Sequence, residues 1–131
     1  METMMMETSN RKQTLWELLL KARDLSGSGF AVVEDVDFSP LTYGKLILKA
    51  KVLGAHLARS ISFSENVGVM LPNSAGAVVS FFALQAIGGV PAMLNFTAGT
   101  HAVLASCKNA QVKTLMTSRR FIEAAHLEEM V

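Results

Sequence analysis

Between Glu65 and His101 the sequence carries no charged side chain. So long an uncharged run has two outlets: a bilayer, or burial on both sides within a layered fold. Punctuation decides between them. Pro72, Asn73, Ser74, Gln85, Gly88, Gly89 and Pro91 interrupt the run, and the longest helix they permit, about 74–87, spans roughly 21 Å. A bilayer core needs about 30 Å. The run therefore reads as strand, helix and strand: "NVGVMLP", a helix over "SAGAVVSFFALQAIGG", then "VPAMLN". Continuous apolar strands such as "VGVML" suit a parallel sheet covered on both faces.

The same rhythm extends to either side. "TLWELLLKARDLSGSG" opens with Thr14 and has Glu17 three places on, a capping-box signature. Leu15, Leu18, Leu19 and Ala22 recur at helical spacing, with Leu25 close to the same face, and Gly27 and Gly29 end the segment. This predicts a helix over 15–25 with that stripe turned inward. In "FAVVEDVDFSPLTY" a strand over 30–34, a turn in "EDVD" and a return over 38–41 make a short hairpin, with Pro40 marking an edge. Thr42 then caps a helix over 43–60. Its inner stripe is Tyr43, Leu46, Ile47, Ala50, Leu53 and Leu57, while Lys45, Lys49, His56 and Arg59 face water. A helix over 100–109, a strand over 112–118 ("VKTLMTS") and a last helix capped by Ser118 and running through "SRRFIEAAHLEEM" complete the chain. Gly89 is expected to stop its helix at positive φ, and Pro91 to open the next strand. Strands alternating with helices specify an α/β fold: three layers, a mostly parallel sheet, helices on both faces, and the hairpin set apart.

A chain of 131 residues is one domain by size. Half its residues are apolar and 18% are charged, which excludes a disordered chain. A net charge of +1 without a basic patch speaks against nucleic acid as a partner. Lys45, Lys49 and Lys51 read as a solvated helix face. Cys107 is the only cysteine, so there is no internal disulfide and no cysteine-rich zinc site, and it reads as a small packed residue. The opening "METMMMETSNRK" has no apolar segment of signal-peptide length. Residues 1–13 read as a polar lead-in or linker and 14–131 as the domain.

Reactive groups are scarce. A dinucleotide fingerprint needs its glycines straight after a strand, whereas "SGSGF" precedes one. The strand-to-helix turn in "VGVMLPNSAGAVV" has one glycine and no Lys–Ser/Thr pair, so it makes a poor phosphate cradle. His56, His101 and His126 stand apart, none with the spacing of a metal pair. Ser74 and Ser118 lack a G-x-S-x-G elbow and occupy helix-capping positions. Glu128 and Glu129 are neighbours in sequence and do not face each other on a helix. No catalytic, cofactor-binding or metal-binding residue is predicted. "GGVPAMLNFTAG" does put Asn95 and Thr97 at the carboxyl end of a strand, where open α/β sheets hold ligands. These two are the substrate-cleft candidates, set against the plainer reading of Asn95 as a turn former.

"LTYGKL" (41–46), the segment 67–95 and "VKTLMTS" together resemble the opening third of adenylate-forming enzymes. That superfamily includes acyl-CoA synthetases, luciferases and peptide-synthetase adenylation domains. Its block L-T-Y-x-E-L is present with Lys45 where Glu is usual. Its block L-x-A-G-G-x-x-x-P-L-N is matched by Leu84, Ala86, Gly88, Gly89, Pro91, Leu94 and Asn95, one residue out of spacing. The likeness covers about 14–126. More finely, "PAMLNFTAG", "KTLMTSRRFIE" and the lead-in are similar to bacterial fusions of a lysophospholipid acyltransferase with an acyl-[acyl-carrier-protein] synthetase.

The resemblance implies a parent that uses ATP and Mg to turn a fatty acid into an acyl-adenylate. The parent then passes the acyl group to acyl-carrier protein, and onward to lysophospholipid. It implies a place on the cytoplasmic side, with the inner membrane as the parent's neighbour. The family's phosphate loop ending in Pro-Lys-Gly, its aromatic-Gly-x-Thr-Glu block, its ribose-binding Asp and its C-terminal-domain Lys do not stand in this sequence. These residues are therefore expected to be a scaffold, partnered by the remaining subdomains, binding no cofactor and inactive alone. Two rivals stand beside that reading: a free-standing flavodoxin-like ligand-binding module, and a fragment that self-associates through apolar surface.

Overall fold

The computed structural model describes residues 13–35 and 38–124. All of the lead-in except Gln13, the second half of the "EDVD" turn (36–37), and the end of the predicted last helix with His126, Glu128 and Glu129 lie outside them. The described elements run α1 (Leu15–Ser26), β1 (Ala31–Asp35), β2 (Phe38–Thr42), α2 (Tyr43–Leu57), β3 (Asn66–Val69), α3 (Ala75–Ala86), β4 (Val90–Met93), a 3₁₀ turn (Phe96–Ala98), α4 (Thr100–Asn109), β5 (Thr114–Met116) and α5 (Arg119–Ala124).

Helix starts follow the expected chemistry. Thr14 accepts from the Glu17 amide at 3.1 Å while the Glu17 carboxylate accepts from the Thr14 amide at 3.4 Å, closing a capping box. Thr42 caps α2 by accepting from Lys45 N–H, Ser74 caps α3 by accepting from Ala77 N–H, and Ser118 accepts from Phe121 N–H. The strands are shorter than the apolar runs that predict them, because the ladder stops where the chain turns out at Leu71–Pro72 and at Asn95.

β1 and β2 pair antiparallel as a separate two-stranded sheet, with irregular register on both sides of Val33. The main sheet has the order β4-β3-β5, all parallel, with Val67 opposite Pro91 on one side and Thr114 on the other. Its central strand is dressed on both faces. Val67 and Val69 pack with Leu84 of α3, Ile61 and Ile87. Met70 packs on the other face with Val103 of α4, Leu94, Phe96, Leu115 and Phe121. Gly68 also points to this second face: a Cβ there would stand 3.1 Å from methyl carbons of Leu94, Val112 and Leu115.

A third apolar cluster joins Leu19 of α1, Leu41 of β2, and Leu46 and Ile47 of α2 to Ala75, Val78, Val79 and Phe82 of α3. α3 thus lies between the sheet on one side and α1, α2 and the hairpin on the other. That sandwiching accounts for a helix with no charged side chain.

Two expectations need correction. On α1 the buried residue is Leu19, flanked by half-buried Trp16 and Leu20, while Leu15, Leu18 and Leu25 are exposed. The "WELLLKARDL" segment offers two overlapping leucine stripes, and packing against Leu41, Leu46 and Ile47 buries the one that holds Trp16 and Leu19. After α3, positive φ falls on Gly88 (+77°) rather than Gly89. Gly89 is buried and pressed close to Leu84. The inner stripe of α2 is as expected, with Leu46, Ile47 and Ala50 buried, and Gly54 joins it.

Candidate functional site

In the order β4-β3-β5 the chain steps out from β3 to β4 and then crosses back over β3 to β5. α3 returns on one face of the sheet and α4 on the other. The connections after β3 and β4 thus leave toward opposite faces and open a crevice between them, at the carboxyl edge of the sheet where open α/β proteins hold ligands. The loop after β3 and the 3₁₀ turn after β4 form its rim.

Each rim segment is fixed by its own polar groups. Ser74 Oγ donates to the Pro72 carbonyl at 3.1 Å and accepts from Ala77 N–H at 3.3 Å. Its hydroxyl is thereby committed to ending the loop and starting α3. Asn95 Oδ1 accepts from Thr97 N–H at 3.1 Å and from Thr97 Oγ1 at 2.5 Å. The two cleft candidates are thus brought together, both exposed, at the carboxyl end of β4. Their mutual bonds build the 3₁₀ turn, which Gly99 closes at φ +94°.

Beside this rim lies a cleft of about 340 Å³ lined by Asn73, Ser74, Ala77, Val78, Phe81, Phe82 and Met93. The Phe81 and Phe82 rings meet edge to face, centroids 5.3 Å apart. Asn95 and Thr97 follow Met93 in sequence but do not line the cleft. Sequence reasoning passed over Asn73, Phe81, Phe82 and Met93. The one available signal was an aromatic pair in an uncharged helix beside a strand end. Such a wall accommodates an apolar body and offers the Asn73 amide for hydrogen bonding.

The other sequence candidates stay apart. His56 and His101 are exposed on different helices, and Cys107 is half-buried in the cluster around Met70. Among the described residues no three His, Cys, Asp or Glu side chains gather where a metal ion would be held. The turn before α3 has its hydroxyl engaged by the Pro72 carbonyl and the Ala77 amide, so it offers no free hydroxyl to a nucleotide's phosphates or their metal. No described helix is long and apolar enough to cross a membrane.

Comparison with known proteins places this arrangement. The chain is similar in structure to O-succinylbenzoate coenzyme A synthetase from Bacillus subtilis, solved in complex with AMP. The identity is 23% and the TM-score 0.72, over 83% of this chain and 28% of that one. It is also similar to the N-terminal domain of FACL13 from Mycobacterium tuberculosis, with 19% identity and TM-score 0.74 over 88% of this chain and 31% of that one. A benzoate CoA ligase from Burkholderia xenovorans aligns at 16% identity and TM-score 0.75, over 87% of this chain and 23% of that one. At these identities the likeness establishes the fold. The chain spans about a quarter to a third of the length of such structures. The sequence profile of the AMP-binding enzyme family matches residues 26–131. With the two quoted blocks and the β4-β3-β5 sheet inside that match, the chain belongs to the AMP-binding enzymes.

Proposed function

We propose that these residues are the N-terminal scaffold of a larger ligase that activates a carboxylic acid as its acyl-adenylate, using ATP and Mg, and transfers the acyl group to a thiol. The profile match over 26–131 carries this reading. The acid in this proposal is a fatty acid, the acceptor acyl-carrier protein, and lysophospholipid the onward acceptor. The parent works on the cytoplasmic side, against the inner membrane when it serves lysophospholipid. The finer assignment draws on "PAMLNFTAG" and "KTLMTSRRFIE". The structurally similar enzymes named above carry other acids, O-succinylbenzoate and benzoate, in their names.

Within the parent, β3, β4 and their helices make one wall of the crevice at the strand ends. Asn95 and Thr97 shape its rim, and Phe81, Phe82 and Met93 give it an apolar lining. These residues position and exclude water. Bond making belongs to parts that this sequence does not contain.

The test is acid-dependent exchange of pyrophosphate into ATP, measured on the longest native polypeptide that carries these residues. Exchange with fatty acids, followed by acylation of carrier protein, is the expected result. Exchange with aryl acids alone overturns the fatty-acid assignment, and absence of exchange with any acid overturns the ligase reading. The 131-residue chain by itself is expected to give none.

A further inference from the structure

From Phe38 to Ser64 the sequence carries Lys45, Lys49, Lys51 and Arg59 and no aspartate or glutamate. The three lysines stand on α2, where buried Leu46, Ile47, Ala50 and Gly54 fix which side turns inward. Lys45, Leu48, Lys49, Lys51, Val52 and Ala55 are all exposed. At 3.6 residues per turn, Leu48, Val52 and Ala55 share a strip about 60° wide. The lysines border it on both sides: Lys51 about 60° from Leu48 one way, Lys45 and Lys49 about 60° and about 100° the other. Leu48 and Val52 are 63% and 64% exposed. Among the described residues Arg23 and Asp24 form the one ion pair, and it leaves these lysines out.

An outer helix face ordinarily carries polar residues along its middle. This one has an apolar middle, cations at both borders and no acid. Lysine stems lie along apolar surface while their ammonium heads reach outward. A helix of that design settles in the headgroup layer of a bilayer, its apolar strip among the upper acyl chains and its cations at lipid phosphates. A nucleic acid would match the charges but press Leu48 and Val52 against its phosphates. We propose that the outer face of α2 docks the protein on a membrane surface rich in anionic lipid. Its 15 residues, roughly 22 Å long, lie along that surface and do not cross it. The inference deepens the reading of a parent that works against a membrane: it rests on that reading for the presence of lipid, and on α2 alone for the surface.

The test is co-sedimentation of the 131-residue chain with large unilamellar vesicles, either of phosphatidylcholine alone or mixed equally with phosphatidylglycerol. Retention by the anionic vesicles only is expected, and high salt should weaken it. The triple change Lys45→Gln, Lys49→Gln and Lys51→Gln should weaken it on the order of a hundredfold, about fivefold for each lysine. An environment-sensitive dye on Val52→Cys, with Cys107→Ser, should brighten on the anionic vesicles. The same dye on Leu104→Cys, an exposed position of α4 on the other face of the sheet, should not. Retention unchanged by the triple change, equal retention by both vesicles, no retention, brightening at 104 instead of 52, or firmer retention by a DNA duplex would each overturn the site. So would self-association that the anionic vesicles fail to disperse, which would give the face to a second copy. The triple change touches exposed positions only and introduces a good helix former; the dye readout stands if it unsettles α2. Loss of pyrophosphate exchange in the parent would leave vesicle binding untouched. Vesicle binding by the parent that survives the triple change would keep the membrane reading and overturn this surface.

Discussion

At Gly88 two demands meet on one residue. Its φ of +77° is ready for glycine alone, and a Cβ there would overlap the Phe63 ring. The ring is 81% exposed and can swing away, so the backbone term is what remains. Gly88→Ala should cost about 1–2 kcal/mol, read as a lower urea midpoint, and the double change with Phe63→Ala should keep most of that loss. Equal stability of Gly88→Ala and the parent chain would mean that the turn adopts another conformation. The Asn95–Thr97 pair is a separable case. Asn95→Ala removes the acceptor for both the amide and the hydroxyl of Thr97. A loss of about 1 kcal/mol, as for a helix cap, should appear as faster deuterium exchange of the Thr97 amide. Exchange at the parent rate would show that the turn holds without Asn95.

Between elements, α2 and α3 come close at Gly54. A Cβ on Gly54 would stand 3.0 Å from the Ala83 carbonyl oxygen and 3.3 Å from an Ile87 methyl. A backbone oxygen cannot step aside as a side chain can. Gly54→Ala gains roughly 1 kcal/mol of helix propensity but incurs overpacking of about 1–3 kcal/mol. A net destabilisation measurable in urea is expected, and a stabilised variant would mean the helices do not touch there. Much at this scale was legible beforehand. Thr14, Thr42 and Ser74 each mark a helix start, because a hydroxyl at that position satisfies an otherwise unpaired amide. The buried face of α1 was not legible. Leucines at 15, 18, 19, 20 and 25 satisfy two stripes equally, and only contact with Leu41, Leu46 and Ile47 chooses between them.

For the whole molecule, surface is the open question. Leu25 and Phe30 are 81% and 57% exposed, and Leu48 and Val52 stand one helical turn apart on the outer side of α2. The main sheet leaves the outer edges of β4 and β5 without partners among the described strands. Pro91 blunts one of them: Val90 donates to Glu65, just before β3, and Leu94 to Val69 of β3, so the position lacking an N–H faces outward. Apolar patches and open edges drive association. Sedimentation of the isolated chain is expected to depend on concentration, and Leu48→Glu with Val52→Glu should lessen that dependence. A monomer at every concentration would contradict this.

The sequence by itself determined the alternation of strands and helices, their capped starts, and the need for cover on both faces of the sheet. These rest on backbone hydrogen bonding and on a 35-residue uncharged run, both local to the chain. Only the tertiary structure decided that β3 is central, that α3 is enclosed between two clusters, and that Phe81, Phe82 and Met93 share a cleft. Those facts depend on which segments meet across tens of residues, and the spacing of apolar residues along one segment does not encode its neighbour.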